Sequence, residues 1–227
     1  LKEVQDHYFR LAKQEGYRAR SAYKLLEIQE RFRLLKPGWR VLDCGACPGS
    51  WLQVASRIVG QTGLVVGVDL KRIEPRGLAG HVHLMEGDLR DLTVQDLPRA
   101  ARGRFFDAVI SDMGPDTSGV PSADSARSVH LCEDLLRKLP VLLKPGGHCV
   151  MKVYEGGEYP ALLKRAKRMF DEARGFKPKA SREESVEMFL VCRGYRGVPF
   201  DEAPTDDPRV AKGRPSAGWG AASDPGT

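Results

Sequence analysis

Apolar and polar positions alternate along this chain in blocks that switch repeatedly between two periods. Short apolar runs of five to seven residues read as buried strands: Arg40–Cys44 (RVLDC), Leu64–Asp69 (LVVGVD), Val82–Glu86 (VHLME), Phe106–Asp112 (FDAVISD), His148–Val153 (HCVMKV) and Glu187–Arg193 (EMFLVCR). Between them lie stretches with helical spacing. Gly49–Val59 is one, Asp124–Leu143 is a longer one that stops at Lys144-Pro145-Gly146-Gly147, and Glu158–Ala173 is a third. Gly175–Lys179 reads as a further strand, and Asp6–Leu35 as a helical lead-in. Strands that alternate with helices predict an α/β domain: seven strands in a mostly parallel sheet, with helices on both faces. In such sheets ligands bind beyond the carboxyl ends of the strands, near the point where strand order reverses.

The segment from about 198 to 227 breaks the pattern. It is rich in Pro, Gly, Asp, Ala and Ser and poor in large aliphatics, so it reads as a disordered tail, with Trp219 an incidental aromatic. The expected organisation is one domain over residues 1–197, opened by a basic helical segment over about 1–36, followed by the tail. The 227 residues suffice for one hydrophobic core, and with 41% hydrophobic and 29% charged residues the composition is that of a soluble globular protein. No apolar run approaches a membrane span, and no leader is evident, so the expectation is a cytoplasmic monomer.

Charge sharpens this picture. The net charge is +6, and basic residues outnumber acidic ones about two to one between Lys2 and Arg40. A second basic cluster is Lys164, Arg165, Lys167 and Arg168. Both fit a polyanionic partner, although solvated helix faces would look the same. The five cysteines are odd in number, and three sit in apolar strand-like runs, which suits reduced buried thiols. Cys44 and Cys47 form a lone CxxC within a glycine turn, without the second pair that zinc needs. His7, His81, His83, His130 and His148 are scattered, and no metal is expected.

The candidate chemistry gathers at the strand ends. The first strand runs into Gly45-Ala46-Cys47-Pro48-Gly49-Ser50-Trp51. Glycines at a strand-to-helix turn let a ligand approach the backbone. The turn matches neither the dinucleotide fingerprint nor a P-loop, which argues against NAD and ATP. Asp69 ends the second strand, about 20 residues on, where nucleoside binders place an acid on ribose hydroxyls. Asp88 follows the third strand and could accept from an exocyclic adenine amine. Both acids could instead be turn or cap residues. A glycine turn followed by two such acids outlines an S-adenosylmethionine site. At the end of the fourth strand stands Asp112, and the fifth carries Lys152 among apolar residues, where a lysine is costly unless paired.

These motifs are similar to those of a known family. Asp43–Trp51, Ser111-Asp-Met-Gly-Pro115 with Ser118-Gly119, Lys152-Val-Tyr, Lys177-Pro-Lys-Ala-Ser-Arg182 and Ser185-Val-Glu187 resemble the FtsJ-like (RrmJ/RlmE) RNA ribose 2′-O-methyltransferases. Tyr17-Arg-Ala-Arg-Ser-Ala-Tyr-Lys24-Leu-Leu-Glu-Ile28 resembles the family's N-terminal helix, and the likeness runs from about Asp6 to Gly194.

The resemblance implies a Rossmann-like class I methyltransferase fold and S-adenosyl-L-methionine as cofactor. It also implies a catalytic tetrad at Lys24, Asp112, Lys152 and Glu187, in which Lys152 deprotonates or orients a ribose 2′-hydroxyl. Cofactor contacts would fall on Gly45, Pro48, Gly49, Trp51, Asp69, Asp88 and Asp112. Arg18, Arg20 and Lys36 would be the leading RNA phosphate contacts. The implied substrate is a uridine of large-subunit (23S-type) ribosomal RNA within the large subunit. Alternatives are tRNA or another RNA, a non-catalytic assembly factor that binds RNA, or a small-molecule methyltransferase. The chain departs from the family's usual pattern at Gly114-Pro115-Asp116, where Ala-Pro-Asn is more frequent, at Cys47, and at Phe189, where a tyrosine is frequent.

Overall fold

A computed structural model describes residues 2–181 and 185–201, with side chains from His7 onward. Among the described residues the order is α1 (Lys2–Gln14), α2 (Ala22–Phe32), β1 (Arg40–Cys44), α3 (Ser50–Val59), β2 (Leu64–Asp69), β3 (Val82–Glu86), β4 (Phe106–Ser111), α4 (Pro121–Leu142), β5 (Leu143–Tyr154), α5 (Tyr159–Met169), β6 (Phe170–Phe176) and β7 (Glu187–Tyr195). The seven strands form one sheet, ordered β3-β2-β1-β4-β5-β7-β6. β1 to β5 run parallel, while β7 lies antiparallel to both β5 and β6. Strand order reverses between β1 and β4, so the switch-point crevice opens beyond Cys44 and Ser111.

Each face of the sheet buries its own core. On one face Phe106, Val109, Cys149, Met151 and Cys192 pack under α4 and α5. On the other, Val41, Ile110, Val150 and Phe189 pack against α2 and α3 through Ile28, Trp51 and Leu52. Lys152 lies two residues beyond Val150 and therefore faces the α2/α3 side. None of the described helices is long and apolar enough to cross a membrane.

Besides shifts of a few residues at other element ends, three boundaries differ from the sequence reading. The N-terminal helical stretch is two helices, parted at Gly16, whose φ of 74° is left-handed. The segment Phe170-Asp-Glu-Ala-Arg-Gly-Phe176 is strand β6, not the end of the preceding helix. Ala, Glu and Arg favour a helix locally, but pairing with β7 and burial of Phe170 and Ala173 decide the outcome. The packed chain also extends past residue 197. Phe200 is buried between the guanidinium groups of Arg137 and Arg165, at 4.4 and 4.2 Å from its ring centre. The rest of the expected tail, with Trp219, lies outside the described residues, as does Arg182 of the Lys177–Arg182 motif.

Candidate active site

The loops after β1 and β4 meet at the switch point. Gly45 has a φ of 76°, and a Cβ there would fall 2.5 Å from Met113 Cγ. Gly49, at φ 108°, opens α3. Both positions need glycine, and together they leave the turn narrow and backbone-lined. The turn is clamped from outside by Arg18. Its guanidinium donates to the carbonyls of Pro48 (2.8 Å) and Arg76 (2.5 Å), and its backbone N–H donates to Gln53 Oε1. These contacts give Arg18 a scaffolding place beside Gly49.

Asp69 works on the same turn. Its carboxylate accepts from the Cys47 N–H (2.9 Å) and the Lys71 N–H (2.8 Å). Each oxygen keeps a further lone pair for an incoming hydroxyl. Leu70, the next residue, is 68% exposed. A large apolar side chain left open beside an acid with free acceptor capacity has the apolar-plus-polar character of a ligand-site wall. Sequence reading passed over Leu70 because it continues the apolar run of β2. Asp88 is held by Arg90 through a forked pair of 2.6 to 3.1 Å, and this hydrogen bonding keeps its carboxyl below the usual range. Asp88 therefore caps its own turn, and its free acceptor capacity is smaller than that of Asp69.

Trp51 is core. It is buried, lies 5.6 Å from the Phe189 ring, and donates Nε1–H to the Ser21 carbonyl (2.9 Å). The Ser21 and Ser50 hydroxyls also bond at 2.8 Å. These two links bolt the start of α3 to the start of α2, where Lys24 sits.

Lys24 and Glu187 form an ion pair at 2.5 Å, nearly out of solvent. Ser181 donates a second bond to the same carboxylate oxygen (3.0 Å), and Glu27 accepts the N–H groups of Lys179 and Ala180. Burial works against the charge on Glu187, but Lys24, then Lys152 and Ser181, outweigh it and hold the carboxyl below its ordinary range. Lys152 projects from β5 to Asp112, with Nζ 2.6 Å from the backbone carbonyl and 3.1 Å from Oδ1. Burial again opposes the charge, but Asp112 and Glu187 prevail and raise Lys152 above the ordinary lysine range. Two ammonium and two carboxylate groups thus form one balanced cluster at the carboxyl ends of β4 and β5. The expected tetrad is brought together, with Lys152 held protonated.

Asp43 was read only as part of a motif. Its carboxyl is fully buried near the end of β1, with no hydrogen-bond partner for either oxygen among the described residues. Burial, then Asp112 and Asp69, push it well above the usual range. The visible signal is an acid inside an otherwise apolar strand, RVLDC.

Comparison with known proteins bears directly on this geometry. The family model for FtsJ-like methyltransferases matches residues 17–195, which take in the glycine turn and all four tetrad positions. The chain belongs to the FtsJ-like methyltransferase family. The ribosomal RNA large subunit methyltransferase E of Syntrophobacter fumaroxidans is 50% identical over 188 residues, covering 83% of this chain and 94% of that one. The protein of the same name from Chromobacterium violaceum is 44% identical over 194 residues, covering 85% and 93%. A crystal structure of a Plasmodium falciparum protein described as a ribosomal RNA methyltransferase superposes with a TM-score of 0.69 at 26% identity, over 79% of this chain and 98% of that one.

Within this methyltransferase the basic N-terminal segment does not form one surface. α2 runs from Lys24 at the carboxyl ends of the strands toward their amino ends. Lys36 therefore emerges at the far end, over Trp39 (5.2 Å), which in turn packs on His148, where β5 begins to pair with β7. β5 climbs from His148 to Lys152 at about 3.3 Å per residue, so Lys36 and the tetrad sit at opposite ends of the sheet. The structure thus does not bring Lys36 together with Arg20 and the tetrad. Arg20 precedes α2 near Lys24; its backbone carbonyl accepts from the Tyr23 N–H, and its guanidinium has no partner among the described residues.

Proposed function

We propose that this methyltransferase transfers the methyl group of S-adenosyl-L-methionine to the 2′-hydroxyl of a ribose in large-subunit ribosomal RNA, with a uridine as the target. The observation that carries the reading is the pairing of Lys152 with Asp112 at the same strand ends that hold the glycine turn. A group able to act on a hydroxyl proton thus stands beside a turn built for a nucleoside. The names and high identity of the large-subunit relatives support the choice of RNA.

The residues present fit the cofactor. Gly45 and Gly49 leave the backbone open, Asp69 can accept ribose hydroxyls, Leu70 can face the base, and the buried carboxyl of Asp43 offers the crevice floor an uncompensated acid. When bound, the cofactor supplies an electrophilic methyl group on a cationic sulfur.

The chain's own residues do the rest. Lys152 orients the 2′-hydroxyl and, after releasing one ammonium proton to solvent, takes the hydroxyl proton on the freed amine. Asp112 fixes Lys152 through both a carbonyl and a carboxylate oxygen. Glu187 and Lys24 supply a paired charge beside it, so a change at Lys152 is buffered rather than isolated. Placement contributes as much as basicity here, because a displacement at carbon needs the attacking oxygen held in line.

The test is methyl transfer from labelled S-adenosylmethionine to large subunits, small subunits and bulk tRNA in parallel, followed by nucleoside analysis. Ribose-methylated uridine in large subunits alone is the expected result. Label confined to tRNA, or label on a base, would overturn the assignment.

A further inference from the structure

Strand β5 carries a second polar side chain on the face of Lys152. Residues two apart on a strand point the same way, and Tyr154 stands directly opposite Glu187 in the antiparallel register with β7. Over this pair passes the loop that follows β4. A Cβ built on Gly114 would lie 3.1 Å from Lys152 Nζ and 3.2 Å from Tyr154 Oη. The ammonium and the phenol therefore border one common space, roofed by a residue that puts no side chain into it. Gly114 is exposed, and Lys152 and Tyr154 are each partly exposed, so a ligand from outside can reach both groups. Lys152 also feels Tyr154 electrostatically.

The phenol O–H has no hydrogen-bond partner among the described residues, while the Tyr154 backbone is fixed by the Ser128 and Ser125 hydroxyls (2.8 and 3.1 Å). The strand position of Tyr154 is thus fixed, and its phenol donor is unused. Phe189, opposite Lys152, brings no hydroxyl and packs against Trp51.

We propose that Tyr154 is a further acceptor-site residue: its phenol donates a hydrogen bond to the 3′-phosphate ester of the nucleotide whose 2′-hydroxyl Lys152 engages. This rests on the function proposed above. Two polar groups around one space suit two vicinal oxygens on one sugar, and a neutral donor beside an anionic oxygen makes a strong bond. A lysine alone would leave the ring free to turn about its contact; a second contact fixes it.

The first variant is Tyr154→Phe, which removes the hydroxyl and keeps the ring. With large subunits as substrate, kcat/KM should fall about tenfold, the usual consequence of losing one such bond. Cofactor affinity, read by calorimetry, should stay within about twofold, since no cofactor contact is touched. The second variant is Gly114→Ala, whose methyl enters the same space. Because both act there, the double variant should lose less than the product of the two single losses.

A Tyr154→Phe enzyme with unchanged kcat/KM would overturn the proposal. So would a loss matched by an equal loss of cofactor affinity, or losses that simply multiply. Lys152→Ala, assayed alongside, separates the two levels of argument. If it abolishes transfer while Tyr154→Phe is neutral, only the role of Tyr154 falls. If it retains transfer, the proposed function of the site falls first.

Discussion

Lys152 is held by Asp112 and Glu187 above the ordinary lysine range, the opposite of what a ready base needs. Desolvation alone would have lowered it, and an apolar strand seen in sequence suggests just that. The carboxylates reverse the sign, and their proximity depends on β4 and β7 flanking β5. A base role therefore requires positive charge to arrive nearby, as a cationic cofactor would bring. It follows that the single-turnover rate should rise with pH into the alkaline range. Asp112→Asn removes a carboxylate that favours the ammonium, so the rising limb should move to lower pH even as the maximal rate falls. A limb that stays put or moves upward would mean that the titrating group is not Lys152. At this scale the sequence is a good guide to identity and a poor one to charge state. The four residues of the expected tetrad were named from family motifs and the fold brings them together, whereas the orphan carboxyl of Asp43 and the clamp made by Arg18 are visible only in the folded chain.

At the scale of elements, α2 connects the parts of the site. It presents Lys24 to Glu187, ties Ser21 to Trp51 and Ser50 of α3, and holds the 179–180 loop through Glu27. Removing one partner of a nearly buried ion pair leaves the other uncompensated. Lys24→Ala should therefore destabilise the fold by about 3 kcal/mol, measurable by urea unfolding. Because the Glu187 carboxyl is depressed in the folded state, its contribution is present above the ordinary carboxylate range. It is lost as pH falls through the lower folded value. The difference between wild type and Lys24→Ala should accordingly shrink in acid, and a difference that grew would contradict the pairing. Strands β1 to β4 were readable because each is a short apolar run ended by an acid or a turn. β6 was not, since its local composition favours a helix and only pairing with β7 makes it a strand.

For the whole molecule, net charge proved less informative than where the charges lie. A run of basic residues that looks continuous in sequence is carried by α2 from one end of the sheet to the other. The structure thus splits the three expected phosphate contacts into three different situations. Arg20→Ala should weaken RNA binding and reduce the salt dependence by about one ion. Lys36→Ala should change neither, and Arg18→Ala should chiefly weaken cofactor binding by loosening the turn at Pro48. Filter binding at several salt concentrations, with calorimetry for the cofactor, distinguishes all three. An Lys36→Ala variant with the largest RNA defect would place the RNA at the wrong end of the sheet for this account.

The most direct test of the central claim compares wild type with Lys152→Ala in a single-turnover assay with labelled S-adenosylmethionine and large subunits, with cofactor affinity measured on the same preparations. The predicted result is loss of ribose methylation with cofactor affinity kept within about tenfold, roughly 1.4 kcal/mol. Near wild-type methylation by Lys152→Ala would remove the lysine from the chemistry and with it the mechanism built on the tetrad.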